Sequence, residues 1–264
     1  MKIVDCFIFY NEIDLLIYRL NVLNDVVDHF IIVESTCTHT GKEKPLIFYE
    51  NKKLFEKFNH KIIHVIVDDF PYKYPNVNIM KNEQWINENF QRNAIARGFQ
   101  NLNLSDNDLI TITDLDEIPD PNTLNKIKNN EIHVEINSLE MDLYYYNLHS
   151  RFINKWYHPK IINYKSYREL KLSCNDIRFA RVLPISNGGW HLSYFGDNNH
   201  IKNKINNFTH QEYNNNTFTD LNHIDNCINN CKDLYNRDIP IEKIKIEDNK
   251  YLPVDYEKYL IKFI

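Results

Sequence analysis

The stretch that most constrains this chain is residues 108–121, Asp-Leu-Ile-Thr-Ile-Thr-Asp-Leu-Asp-Glu-Ile-Pro-Asp-Pro, where an apolar run breaks into four acids and two prolines. Leu109, Ile110 and Ile112 read as a strand buried in a sheet. Pro119 and Pro121 stop the backbone from extending that strand, because proline lacks the N–H a ladder needs. Asp114 and Asp116 therefore sit two residues apart at the C-terminal edge of the strand, where open α/β sheets bind ligands. Side chains at i and i+2 of an extended chain share a face, so both carboxylates can address one object. Crowded negative charges repel unless a cation or a proton offsets them. A divalent ion bridging to phosphate oxygens is the simplest offset. Asp120 before Pro121 has the form of a helix N-cap with proline at the first helical position.

Around this segment the first third of the chain alternates strand and helix. Strand-like runs cover 2–10, 28–34 and 61–67, with helical patterns at 12–23, near Leu54 and Phe58, and from about Met80 to Phe99, the last with Trp85, Ile86, Phe90 and Ile95 facing inward. Such alternation implies βαβ crossovers and a mostly parallel sheet flanked by helices. Glu34, Asp68 with Asp69, and Asp114 close three of the four strands on one edge, a layout suited to a nucleotide. After Pro121 the chain becomes rich in aromatic residues and β formers. No linker separates independent domains, so residues 1–264 are expected to form one domain, with a nucleotide-binding half (about 1–120) and an acceptor half (about 121–264).

Bulk properties remove several function classes. A net charge of -5 with no basic run argues against non-specific nucleic-acid binding. Cys6, Cys37, Cys174, Cys227 and Cys231 are an odd, scattered set without zinc-site spacing, so reduced thiols are expected. No window reaches the roughly 20 apolar residues of a membrane span, and no secretory signal is apparent. The expected setting is soluble and cytoplasmic.

Several blocks in one order resemble glycosyltransferase family 17, the β-1,4-N-acetylglucosaminyltransferase III family. They are Asn11-Glu12 with Arg19-Leu20; Val27-Asp28 with Ile32 to Ser35; Thr40 to Pro45; Glu83 with Gln91-Arg92; Asp114 to Pro119; Gly189 to Gly196; and Lys204 through His210-Gln211-Glu212. The resemblance implies a GT-A-type fold, a UDP-sugar donor carrying N-acetylglucosamine, a glycan acceptor, inversion at the anomeric carbon, and a divalent ion, manganese or magnesium. The family's animal members are described as anchored Golgi proteins, whereas this chain opens directly on its first strand. A nucleotidyltransferase would share strands ending in acids, but residues 8–20 lack the glycine-rich triphosphate loop. A non-catalytic carbohydrate-binding module is the third reading.

Sugar transfer from a nucleotide needs charge neutralisation at the leaving diphosphate, a base for the acceptor hydroxyl, a nucleoside pocket and an aromatic floor for sugar. Asp116 is the first choice as metal ligand, with Asp114 beside it directly, through water or on the ribose, and His191 completing the shell; His210 competes with His191. Glu117 is either a supporting group behind the metal or the partner of an arginine. Asn11, Glu12, Glu34, Arg92 and Asp114 are the nucleotide-sugar candidates, although Glu34 could cap a loop and Arg92 could pair with Glu88 one turn away. Lys44 and Arg178 are further cations. Asp197 is the expected general base and Glu212 the second, ahead of Asp142 and Glu140. Trp190 and Tyr194, with Tyr145 and Trp156, are the residues placed to stack on sugar, each of which could instead be core.

Overall fold

A computed structural model describes every residue except Asn101. The strands are β1 (Ile3–Phe9), β2 (His29–Ser35), β3 (Ile62–Val67), β4 (Leu109–Asp114), β5 (Glu117–Pro119), β6 (Ile136–Tyr145), β7 (Ser150–Phe152), β8 (Lys160–Asn163), β9 (Pro184–Ser193) and β10 (Ile241–Lys243). The helices are α1 (Ile13–Leu23), α2 (Ile47–Glu50), α3 (Glu83–Asn93), α4 (Ile95–Phe99), α5 (Pro121–Lys128), α6 (Tyr164–Leu170), α7 (Cys174–Phe179), α8 (Asn198–Asn207), α9 (Leu221–Asn229) and α10 (Tyr256–Tyr259). One mixed sheet runs β10-β7-β6-β8-β4-β1-β2-β3, with β9 pairing β6 and carrying β5 on its far side.

The central strands β3, β2, β1 and β4 are parallel, as alternating strands and helices dictate. Beyond β4 the pairing turns antiparallel through β8 and β6, and only β6–β9 restores a parallel pair. The strand expected to stop at the prolines does stop at Asp114. The chain then makes a tight turn and re-enters the sheet as β5, a three-residue strand ending in Pro119 and paired on one side only, a position where proline's missing N–H is tolerated.

Alternation along the parallel strands divides the core in two. Ile3 and Phe7 of β1 and Phe30 and Ile32 of β2 pack on one face with Leu15, Leu16 and Leu20 of α1. Val4, Cys6, Ile31 and Val33 pack on the other, under Ile95 and Phe99 of α4. A third cluster, with Ile201, Ile205, Ile224 and Leu234, closes the C-terminal half beside β6 and β9.

The long helix expected over 80–99 is broken at Ala94 into α3 and α4, and its inward face is polar. Gln84, Asn87, Gln91 and Arg92 are buried on α3, whereas Ile86 is exposed. Asn87 donates to the carbonyls of His39 and Tyr72, and Gln91 to the carbonyl of Val33. This helix therefore packs on the backbone of β2 and of two loops through hydrogen bonds, which must be made once such groups are buried.

The approach of β9 to β5 depends on Gly189, whose φ is 142° and whose place leaves no room for a side chain: a Cβ there would lie 2.1 Å from the carbonyl oxygen of Ile118. Gly189→Ala is expected to destabilise the protein by about 2–3 kcal/mol, from backbone strain and overpacking together. Urea denaturation measures this, and a change below a few tenths of a kcal/mol would show that β5 is free to move away.

Candidate functional site

The acids at the end of β4 open into a cleft of about 510 Å³. Its walls come from the tips of β1 and β2, the 36–46 loop, α3, the end of α7, β9 and the segment after α8. Asp114 and Asp116 both line it, as do Glu12, Tyr10, Ser35 and His191.

Asp114 follows Ile110 and Ile112 on the strand face covered by α3 and α7, and each of its carboxylate oxygens holds an arginine. Arg92 Nη2 of α3 donates to Oδ1 at 3.1 Å, and Arg178 Nη2 of α7 donates to Oδ2 at 2.7 Å. Burial opposes its ionisation, but the two guanidiniums outweigh that and hold its carboxyl below the usual range. Arg178 also grips both oxygens of Glu117 at 2.7 Å. Glu117 in turn accepts from the Asp114 backbone N–H at 2.7 Å and from Trp156 Nε1 at 2.6 Å. Of the two expectations for Glu117, the arginine partner is the one seen. Arg92 is spent on Glu88, Asp114 and Asn175, is buried, and does not line the cleft. Its expected grip on a diphosphate is replaced by a grip on Asp114.

Asp116 belongs to a separate set of partners. Its Oδ2 accepts from Lys204 Nζ of α8 at 2.9 Å, and its Oδ1 lies 3.5 Å from His191 Nε2. Burial would favour the neutral acid, but Lys204 and His191 overcome it and keep Asp116 ionised far below the ordinary carboxylate range. β9 delivers His191 because Leu192 N donates to Asp116 O at 2.8 Å, while His191 itself stands opposite Glu117 in the β5–β9 register.

The opposite strand face explains the turn itself. Asp5 interrupts the apolar β1 on the face covered by α1, and Thr111 and Thr113 of β4 point the same way. Arg19, wholly buried on α1, donates to both oxygens of Asp5 at 2.7–2.8 Å and to Thr113 Oγ1 at 2.6 Å. Its remaining donor reaches the carbonyls of Asp114, Leu115 and Glu117 at 2.8–3.0 Å. One guanidinium thus ties down the backbone that presents both aspartates. An aspartate inside an apolar strand and an arginine on an apolar helix face are each unfavourable alone, and that mutual need was the signal for this pair.

Other expected residues fall elsewhere. Glu34 is fully buried and does not line the cleft; it accepts from Phe48 N at 2.9 Å and lies 3.0 Å from His64 Nε2, so it fastens the first turn of α2. Trp190 is buried against Tyr251, its Nε1 donating to the Tyr251 carbonyl at 3.1 Å, because adjacent strand residues face opposite ways and His191 takes the cleft side. Asn11 and Asp197 line a second depression of about 420 Å³, which shares Glu12 with the main cleft. Glu212 is exposed and pairs with His210, whose ring lines the main cleft against Trp85. Tyr194, Tyr145 and Trp156 do line the cleft. Lys204, named only within a sequence block, was the residue whose role went unread.

Asp197 Oδ1 accepts from His200 N at 2.7 Å as the N-cap of α8. Asp197→Ala is expected to cost about 1 kcal/mol of stability through loss of that cap. Turnover should stay within about threefold, equivalent to well under 1 kcal/mol of barrier. A loss of a hundredfold or more in kcat would return Asp197 to the base role.

Among the described residues no three His, Cys, Asp or Glu side chains are arranged to hold an ion unaided. Asp116 and His191, however, both line the cleft, with Oδ1 and Nε2 3.5 Å apart and the buried His191 Nδ1 without a hydrogen-bond partner among the described residues, while each oxygen of Asp114 accepts from an arginine. A carboxylate–imidazole pair completed by substrate oxygens and water fits a small divalent ion, which is commonly held by one or two protein ligands and phosphates.

Comparison with known proteins follows the same residues. The family model described as Glycosyltransferase family 17 matches residues 1–243. Beta-1,4-mannosyl-glycoprotein 4-beta-N-acetylglucosaminyltransferase from Rattus norvegicus, Homo sapiens and Mus musculus is in each case 34% identical over 122 residues. The match covers 45% of this chain and 22% of each relative, so it spans under a quarter of their length. No helix among the described residues is long and apolar enough to cross a membrane. With the family model spanning all the strands and both aspartates, this chain belongs to glycosyltransferase family 17.

Proposed function

We propose that the cleft transfers N-acetylglucosamine from a UDP-sugar to a hydroxyl of a glycan, with inversion at the anomeric carbon and with the help of Mn2+ or Mg2+. The observation that carries this reading is the pair of aspartates at the tip of β4, held ionised in a cleft that four cations, Lys44, Arg178, Lys204 and Arg237, also line. Membership of the family and the names of the similar mammalian enzymes supply the sugar. A GT-A arrangement agrees with the parallel β3-β2-β1-β4 core and the ligand edge at β4. The nucleotidyltransferase alternative has no support from the family.

In this mechanism Asp116 and His191 would hold the ion, which when bound supplies Lewis-acid neutralisation of the departing diphosphate. Tyr10 and Ser35, which line the cleft at the tips of β1 and β2, would bind the nucleoside. Trp156, Tyr145 and Tyr194 offer ring faces and edges to the sugars. Asp114 would orient the site through its two arginines, one on each oxygen. The acceptor's proton must pass to a group within hydrogen-bond reach, and the carboxylates lining the cleft outside the aspartate pair are Glu12 and Glu88. Those two displace Asp197 and Glu212 as the groups to test as general base.

Titration with UDP, with and without Mn2+, followed by a screen of UDP-sugars for UDP release, tests the proposal. Metal-dependent UDP binding and slow hydrolysis that favours UDP-N-acetylglucosamine are expected. Glycan binding without any UDP binding would replace the enzyme by a carbohydrate-binding module.

A further inference from the structure

Lys204 stands where the proposed ion would compete. Its Nζ lies 2.9 Å from Asp116 Oδ2 and 3.6 Å from Glu12 Oε1, with the Tyr194 ring centroid 5.4 Å away. Burial disfavours its charge, but Asp116 and Glu12 outweigh that and raise the ammonium's pKa far above its ordinary value. At 2.9 Å the ammonium satisfies a buried carboxylate that would otherwise be left uncompensated.

We propose that Lys204 is an exchangeable counter-ion, holding Asp116 while the cleft is empty and turning onto the donor's diphosphate oxygens when a divalent ion takes Asp116. The inference rests on the reading of the cleft as a nucleotide-sugar site. The other cations around the aspartates are built differently. Arg19, Arg92 and Arg178 each bond three or more acceptor atoms through a planar fork, so moving any of them breaks several bonds together. Lys204 is a point charge on a flexible stem with three rotatable donors, and it makes one short contact, to Asp116. Glu12, on the other side, stays in place because its Oε2 accepts from Asn11 N at 3.1 Å. The exchange leaves the net charge of the site unchanged, since the divalent ion brings two positive charges and the donor's diphosphate two negative ones.

The test uses Lys204→Met and Lys204→Arg beside the wild type, with two readouts that do not need turnover. Mn2+ binding without nucleotide is followed by the paramagnetic resonance signal of the free ion, and UDP binding is titrated at saturating Mn2+. If the lysine leaves Asp116 free in roughly a tenth of molecules, its removal tightens Mn2+ about tenfold. Loss of the phosphate contact should weaken UDP about tenfold in the same variant, since a charge-assisted contact carries roughly that factor. A merely structural lysine would weaken both, and unchanged or weaker Mn2+ binding by the Met variant overturns the proposal. Should that variant fail to fold by circular dichroism, Lys204→Arg decides instead: its fork should hold Asp116 harder and weaken Mn2+ binding, and unchanged binding overturns the proposal. Wild-type protein that binds no UDP with Mn2+ removes the donor-site reading and this inference together. Wild-type binding without the opposed shifts removes the role of Lys204 alone.

Discussion

Asp116→Asn is expected to lower kcat/KM by about a thousandfold or more while leaving the protein folded, because it deletes the charge around which the site's electrostatics are arranged. Single preorganised groups of this kind are worth roughly 10²–10³ in rate, and an ion they hold adds further charge stabilisation. Asparagine matches the carboxylate in volume, so packing at the turn is preserved. The Leu192 N–H bond to the Asp116 backbone carbonyl is untouched. Lys204 keeps Glu12 as a counter-charge, which limits the cost to stability. Initial rates of UDP release, set beside a thermal melt, check both halves of the expectation. Turnover near the wild-type level would place the charge-bearing centre elsewhere in the cleft and remove Asp116 from the reaction.

Arg19→Met should be the most damaging single change to the fold, at about 3–5 kcal/mol, because breaking one partner of a buried ion pair leaves the other charged and uncompensated. Here that partner is Asp5, fully buried in β1 between strands β2 and β4. The carbonyls of Asp114, Leu115 and Glu117 would lose their donor at the same time. Replacing both charges, as Arg19→Met with Asp5→Leu, is expected to recover much of the stability, since an apolar pair of similar bulk avoids desolvating ions. It should not recover turnover, because nothing then fastens the turn that carries Asp114 and Asp116. Denaturant midpoints for the single and double variants, with rates for the double, separate the two roles. A double variant with full activity would show that the turn keeps its shape without the guanidinium.

The parallel half of the sheet was legible because its strands are short apolar runs broken by helices with a clear repeat, and β1 to β4 lie within a residue or two of the expected spans. The Asp120 N-cap was equally plain: its Oδ1 accepts from Asn122 N at 2.8 Å ahead of Pro121. Reading α3 by its apolar residues placed Phe90 against the core but missed that Ile86 is exposed and that Gln84, Asn87, Gln91 and Arg92 are buried, because hydrogen-bonding groups that satisfy one another or backbone are not counted by apolar periodicity. Trp190 and His191 could have been told apart in advance, since neighbours on a strand cannot both face one cleft. Asp197 looked catalytic for its place after a Gly-Trp-His block, yet the same place makes it a helix cap.

What the order of residues determined on its own was the chemistry available: two carboxylates at a strand tip, the βαβ frame that places them, and the motif blocks of the family. What the tertiary structure decided was how those charges are shared out. Asp114 is bound to Arg92 and Arg178, from positions 22 and 64 residues away, and Asp116 to Lys204, 88 residues away. Charge pairing across such separations depends on distance and burial, which local propensity does not encode. The acids were therefore readable in one dimension, and their counter-ions only in three.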